Sequence, residues 1–367
     1  LTTILFARAM PLNVTPAVER YVKFLRENGF SGTIVGAELD TGSSRTPADF
    51  VDELYTSRGS FEGLRRRAQA LAAYQAFLVR TVARVRPDIV QFCDVFSAVA
   101  GIASKLFRSP HLIFDIRDPV KLSTSHYGPL VPRALHFLES LAARVSDGII
   151  VVSPELMDFV PQAARKRAVI MTNSPEEDQF TGYQFSGGDN ITISLSGFVS
   201  YRRNLDAWCR LVGDNPKLKL DLYGTIADER SRQILDQYGF EQINRVSHEE
   251  ALSRSRAADI MALTYDPSIV VNQFAAPNKF FEGLMLGKPS ICSTGMRLGE
   301  RLTREHCGIV VPYGDVAALA TAVETLREPG ERRRMGENAR RLFEREYLGQ
   351  ARNAMRTLYG RLGLIPM

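Results

Sequence analysis

Three residues over little more than one helical turn carry the first chemical signal: Pro277, Lys279 and Glu282, in the stretch Ala276-Pro277-Asn278-Lys279-Phe280-Phe281-Glu282. Proline suits a helix start, the residues after it have helical apolar spacing, and Gly287 with Pro289 ends the segment before another apolar run. The first amides of such a helix lack internal partners and its dipole is positive there, which favours an anion such as a diphosphate. Lys279 adds a full charge in that turn, and Glu282 can accept hydrogen bonds from a ribose diol. A solvated surface helix is the other reading of the same residues. A second basic pair, Arg202 and Arg203, follows the turn Ser196-Gly197-Phe198. Guanidinium groups there match a pyrophosphate in charge and fork geometry; an exposed pair on a helix end is the alternative. In the first half, Asp115-Ile116-Arg117-Asp118 follows an apolar run. Asp118 is suited to orient or deprotonate a hydroxyl and Arg117 to bind phosphate, or the pair simply ties down a loop.

The elements that must position these residues form an α/β pattern. Strands are expected at 3–7, 33–36, 88–92, 111–115 and 148–152, alternating with helices at 18–27, 61–85, 97–107 and 133–144. Around 175–190 the pattern lapses into Pro, Gly, Ser and acidic residues, the composition of a linker. It restarts with strands at 191–195, 219–223, 260–263, 290–293 and 308–311 and helices at 204–212 and 229–238. Two such arrays imply two doubly wound parallel sheets, with ligands outside the carboxyl ends of the strands and an active site between the halves. The expected domains are 1–178, 189–347 and a final helical segment, 348–367, that crosses back to the first.

The segment holding Pro277, Lys279, Glu282, Gly287 and Pro289 resembles the donor-binding helix of family 4 of the glycosyltransferases. That resemblance implies the GT-B architecture: two Rossmann-like domains facing across a cleft, the second binding a nucleotide diphosphate sugar. It implies Glu282 as the ribose ligand. Many relatives place a second glutamate eight positions earlier, where this chain has Phe274; Asn272, Gln273 and backbone amides near Ala275 are expected to substitute, with Asn278 beside them. The turn at Gly197 is similar to the family's phosphate-binding turn, which makes Arg203, with Arg202 as deputy, the phosphate grip. Tyr223 and Gly224 resemble the end of the next strand, and 151–153 and 169–174 give further matches in the right order. In the first domain the resemblance places Asn13 and Asp94 in the acceptor pocket, with Arg117 and Asp118 near the reacting sugar. It also implies transfer with retention of configuration to a saccharide or lipid-linked acceptor, as in bacterial envelope polysaccharide or glycolipid assembly, without a metal.

Composition narrows the alternatives. The net charge of +5 points to an anionic partner, but no nucleic-acid-binding motif accompanies it. The four cysteines, without any C-x-x-C pair, argue against a zinc site or disulfide framework. No apolar run approaches the roughly 20 residues of a membrane span, and a cytoplasmic location is expected. The basic triplets 65–67, 165–167 and 332–334 are either docking points for anionic lipid or solvated helix faces. No G-x-G-x-x-G follows the first strand of either half, which disfavours a nicotinamide enzyme. A nucleotide-sugar epimerase of the same build and a non-catalytic binding subunit remain as alternatives, the second kept alive by Phe274.

Overall fold

The structure is a computed structural model that describes residues 2–12, 16–40, 49–59, 64–107, 109–123, 130–175, 188–240 and 246–366. The chain forms two compact units, Leu1–Thr172 with Ala351–Met367, and Asn173–Gln350.

The first unit holds strands β1 (Thr3–Arg8), β2 (Thr33–Asp40), β3 (Glu53–Arg58), β4 (Ile89–Phe92), β5 (His111–Ile116), β6 (Gly148–Val151) and β7 (Ala168–Ile170). They pair in parallel in the order β3-β2-β1-β4-β5-β6-β7. The connecting helices are α1 (Pro16–Glu27), α2 (Leu64–Val85), α3 (Ala98–Phe107), the single turn α4 (Val120–Ser123) and α5 (Leu130–Val145). The central strands are buried along their whole length because helices cover both faces of a parallel sheet. The strand order reverses between β1 and β4, which makes the gap between their carboxyl ends the natural ligand crevice of this sheet. Two strands absent from the sequence reading, β3 and β7, are the two edges. β3 is polar and partly exposed, and β7, although apolar, is only three residues long, too short to stand out as a strand.

The second unit holds β8 (Ile191–Val199), β9 (Leu218–Ile226), β10 (Ile260–Leu263), β11 (Ser290–Ser293) and β12 (Gly308–Val311), parallel in the order β12-β11-β10-β8-β9. Its helices are α6 (Leu205–Gly213), α7 (Glu229–Gln237), α8 (His248–Ala257), α9 (Val270–Gln273), α10 (Asn278–Met285), α11 (Arg297–Arg304), α12 (Val316–Arg327) and α13 (Pro329–Leu342). Here the order reverses between β8 and β10. The last helix, α14 (Gln350–Arg361), belongs to the core of the first unit: Ala351, Met355, Leu358 and Tyr359 fall on one face and are buried with α1 and β1 residues. The Tyr359 hydroxyl donates to Gln91 Oε1 at 2.8 Å inside that core. Gly148 makes room for this helix, since a Cβ there would overlap Leu358. All four cysteines are free and buried.

The triplet 332–334 does not form a basic surface. Arg332 is buried, donates to the carbonyls of Leu326 and Arg327, and lies 3.8 Å from Asp259. Arg333 and Arg334 pair with Glu337 and Glu331 on the same helix. The i, i+3 and i, i+4 spacing of α13 supplies these acids, which a reading of charge runs overlooks.

Candidate functional site

At the carboxyl edge of the second sheet, two glycines set the shape of the loops. Gly197 and Gly224 are register partners at the ends of β8 and β9, both with positive φ. A side chain on Gly224 would overlap the Gly197 carbonyl, whereas Gly197 faces open space. The chain then turns through 201–203 into α6, and Arg203 drops into the crevice at the strand-order reversal. Its Nη1 donates to Ser196 O at 2.5 Å and Phe198 O at 3.3 Å, its Nη2 to Ala262 O at 3.2 Å, so one guanidinium joins the ends of β8 and β10. Arg203 is 5% exposed, stacks on the Tyr265 ring, and has no carboxylate partner among the described residues. Thr264 Oγ1 donates to Arg203 O and itself accepts from buried Trp208 Nε1, which locks this corner.

Arg203 is therefore occupied otherwise than as the direct phosphate grip expected of it: both Nη atoms serve backbone carbonyls. Arg202 is the exposed member of the pair, bonded through Nε to the Tyr201 hydroxyl, with that hydroxyl bond the leading reason its charge is reinforced. Tyr223 also departs from its expected place at the donor. Its hydroxyl points into the fold, between Ser194, Ser255 and the Ala251 carbonyl, because the strand alternation that exposes Gly224 turns its neighbour inward.

The helix α10 connects β10 to β11, and its amino end therefore lies at the same carboxyl edge. Pro277 sits at the cap without a side-chain hydrogen bond; its carbonyl accepts from the Phe280 amide at 3.0 Å, and no side chain caps the amides of Asn278 and Lys279 before it. Lys279 Nζ reaches Glu282 Oε2 at 2.7 Å, and Glu282 is 2% exposed. Asn278 opens this helix. Asn272 and Gln273 turn their amides back onto the carbonyls of Asp266 and Pro267, and the Ala275 amide bonds to Asn272 O. These groups brace the loop, and the short helix α9 uses them to close its own turn. Asn173 Nδ2 holds the Ala276 carbonyl at 2.9 Å and so fixes the approach to α10.

In the first sheet, the residues after β1, β4 and β5 meet at the carboxyl edge. Asp94 accepts from the amides of Ala9 and Ser97, both at 2.7 Å, and so pins the loop after β1 to the turn after β4. Its carboxyl lies above the usual range because burial outweighs those bonds and the nearby Arg8 charge. Both oxygens thus have structural work at the carboxyl edge where the acceptor pocket is expected. Asn13 lies outside the described residues.

Arg117 does not pair with Asp118. It donates to Asp115 Oδ2 at 3.0 Å and to the Tyr21 hydroxyl at 2.9 Å, and Tyr21 donates to the same Oδ2 at 2.7 Å. Burial opposes the Arg117 charge, but Asp115 and Tyr21 outweigh it and hold the guanidinium protonated. Asp118 stays at the surface with its carboxyl raised, crowding by protein winning over Arg117 and Arg8. Arg8, at the end of β1 beside the reversal, has a buried Nη1 with no hydrogen-bond partner. It carried no sequence signal beyond its place after the first strand.

Residues 202–358 match the glycosyl transferase-like family. Among solved structures, sucrose-phosphate synthase from Thermosynechococcus elongatus aligns over 99% of both chains at 15% identity and TM-score 0.72. Anabaena HepE, solved with UDP and glucose, aligns over 99% of this chain and 100% of its own at 13% identity and TM-score 0.70. A UDP-N-acetylglucosamine 2-epimerase aligns over 99% of this chain and 96% of its own at 13% identity and TM-score 0.62. The fold is the GT-B fold. No curated protein matches the chain in sequence.

Within the GT-B frame, the family match begins at Arg202 and runs through α10 into α14, so it includes the crossing back to the first unit. Sequence reasoning missed the aromatic surround of the basic turn. Tyr265 lies under Arg203, Arg230 lies over Tyr201, and Tyr313 donates to Tyr201 O at 2.8 Å. These residues come from four segments, the 201–203 turn, α7 and the loops after β10 and β12, and only the sheet order brings them together. Phe198 is 72% exposed at the tip of the Gly197 turn.

Proposed function

We propose that the chain transfers a glycosyl group from a nucleotide diphosphate sugar to an acceptor hydroxyl. The observation that carries this reading is Arg203: a buried cation at the strand-order reversal of the second sheet, with no carboxylate to balance it among the described residues. A buried charge of this kind is costly unless a counter-charge is supplied, and the uncapped amino end of α10 shares the same sheet edge. A diphosphate meets both needs. In this reading Arg203 acts from beneath by shaping the Gly197–Phe198 turn and setting its potential, while exposed Arg202 contacts the phosphates. The Lys279–Glu282 pair exchanges its internal bond for ligand contacts, ammonium to phosphate and carboxylate to ribose hydroxyls. Charge developing on the leaving diphosphate strengthens every one of the cationic contacts, which is how such a site lowers a barrier.

On the first unit, Asp118, with its raised carboxyl, is proposed to orient or deprotonate the acceptor hydroxyl, and Arg8 to bind the acceptor. Resemblance to family 4 supports retention of configuration and an acceptor that is saccharide or lipid-linked, in envelope polysaccharide or glycolipid assembly on the cytoplasmic side. The scheme includes no metal: Arg202, Arg203 and Lys279 meet the diphosphate charge.

The test is a thermal-shift panel of nucleoside diphosphates and their sugar conjugates, beginning with uridine diphosphate because HepE was solved with it. A ligand that binds only the folded state raises the midpoint by mass action. Stabilisation by one nucleotide, lost in Glu282→Ala and weakened in Arg202→Ala, supports the reading. Silence across the panel at millimolar ligand favours a non-catalytic subunit. Nucleotide release from the sugar conjugate without added acceptor would assign an epimerase instead.

A further inference from the structure

The helix α5 is built inside out. Its buried positions are Glu139, Ala142 and Ala143, small or polar residues, while large apolar residues face solvent. Leu130 is 77% and Phe137 68% exposed, and Val131 is exposed beside them. Leu130, Ala134, Phe137 and the partly exposed Leu141 recur at i, i+4, i+7 and i+11, so they form one outward stripe along the length of the helix. A scattered exposed leucine needs no explanation, but a continuous stripe on one helix does.

Charge decides what covers it. Arg133 and Arg144 are exposed along one flank of the stripe. The two short segments packed against α5 add cations: Lys121 on α4, and the 3-10 turn Gln162–Arg167, where Lys166 is exposed and Arg167 donates to the carbonyls of Ala143 and Arg144. Among the described residues of these three segments the only acid is Glu139, which is buried. The chain as a whole carries 46 basic and 41 acidic residues, so this imbalance is local. An apolar stripe with a cationic rim matches an anionic bilayer surface, into whose interface such a helix lies flat. No helix among the described residues is long and apolar enough to cross a membrane.

We propose that α5, with its basic rim, docks the first unit on an anionic lipid bilayer. The helix follows the loop of Arg117 and Asp118 in the chain, and as the helix returning from β5 it starts at the carboxyl edge of the sheet. Docking there brings the lipid surface to the acceptor side of the first unit; this last point rests on the transferase reading, and the docking itself does not.

Flotation of the full chain with vesicles of phosphatidylcholine, and of phosphatidylcholine with phosphatidylglycerol, at low and high salt tests the proposal. The expected result is binding to the anionic vesicles only, weakened by salt, and reduced at least about tenfold in Phe137→Ser, as the loss of one inserted aromatic requires. Arg133→Gln with Arg144→Gln should also weaken binding and flatten its salt dependence. Phe137→Ser should keep the thermal midpoint and the turnover of a water-soluble acceptor. Wild type that fails to float with anionic vesicles overturns the proposal, as does undiminished binding of Phe137→Ser. A particle mass that rises with concentration in wild type but not in Phe137→Ser, without vesicles, would give the stripe to a second copy of the chain. Because flotation needs no donor, failure of the transferase reading leaves its outcome unchanged.

Discussion

Lys279 and Glu282 answer to each other before they answer to any ligand. Glu282 is nearly fully buried and its carboxylate is held by Lys279 at 2.7 Å. Removing the lysine strands a buried charge, which typically costs about 3 kcal/mol or more, whereas neutralising the carboxylate costs less. Lys279→Met should therefore lower the urea midpoint clearly more than Glu282→Gln does, while both abolish nucleotide stabilisation. Equal midpoints for the two variants would show that the pair is open in solution. Glu139 offers a second residue-scale prediction. Burial pushes its carboxyl up to about 7, against the opposing hydrogen bond from the Val120 amide. The folded state thus holds this proton where the unfolded state has released it. The stability it lends is complete below the ordinary glutamate pKa near 4.5 and is lost as pH rises through about 7. Glu139→Gln keeps the acceptor for Val120 without the charge. Its stability relative to wild type should climb between pH 4.5 and 7 and then level off, by up to roughly 3 kcal/mol; a pH-independent difference would remove the assignment.

At the scale of elements, the donor edge depends on two strand ends that approach more closely than side chains permit. Gly197→Ala has space but must hold a positive φ, a strain of about 1 kcal/mol. Gly224→Ala has both the φ and a clash with the Gly197 carbonyl. Thermal midpoints should rank wild type, Gly197→Ala, Gly224→Ala in falling order, and the second substitution should also weaken nucleotide binding because it displaces the turn above Arg203. Nucleotide affinity unchanged in Gly224→Ala would separate that turn from the donor site.

At the scale of the molecule, α14 ties the end of the chain into the core of the first unit. Truncation before Gln350 exposes Ile4, Phe24 and their neighbours to water, so the first unit should lose its cooperative unfolding transition while the second, with an intact core of its own, keeps one. Calorimetry of the truncated chain checks this. Alkaline pH probes both units at once. Burial pushes Cys209, Cys292 and Cys307 up from 9.0 to about 12 and Cys93 further, so their contribution is intact below pH 9 and lost as pH rises through 12. Lys288 works the other way: burial lowers it from 10.5 to about 8, which adds stability as pH rises between those values. Four thiols against one lysine make the net change a loss, and unfolding at fixed urea should accelerate above pH 9.

How much of this was legible in the chain depended on how local the signal was. The apolar strands 260–263, 290–293 and 308–311 were readable to the residue because buried parallel strands are short apolar runs between helices. The polar edge β3 was not, since an edge strand is stabilised by its neighbour's backbone and needs no apolar run of its own. The Pro277–Glu282 helix start was legible as a helix start, but its internal Lys–Glu pair was not, because spacing shows proximity and not burial. By itself the sequence determined two α/β arrays and the identity of the residues at the strand ends, both of which follow from periodicity along the chain, whereas most of the expected linker, 176–187, lies outside the described residues. Only the tertiary structure decided that Arg203 faces inward and Arg202 outward, that Arg117 chooses Asp115 over Asp118, and that α5 turns its large residues to solvent. Each of those depends on which elements lie beside a side chain once strand order is set, and strand order is a property of the folded sheet.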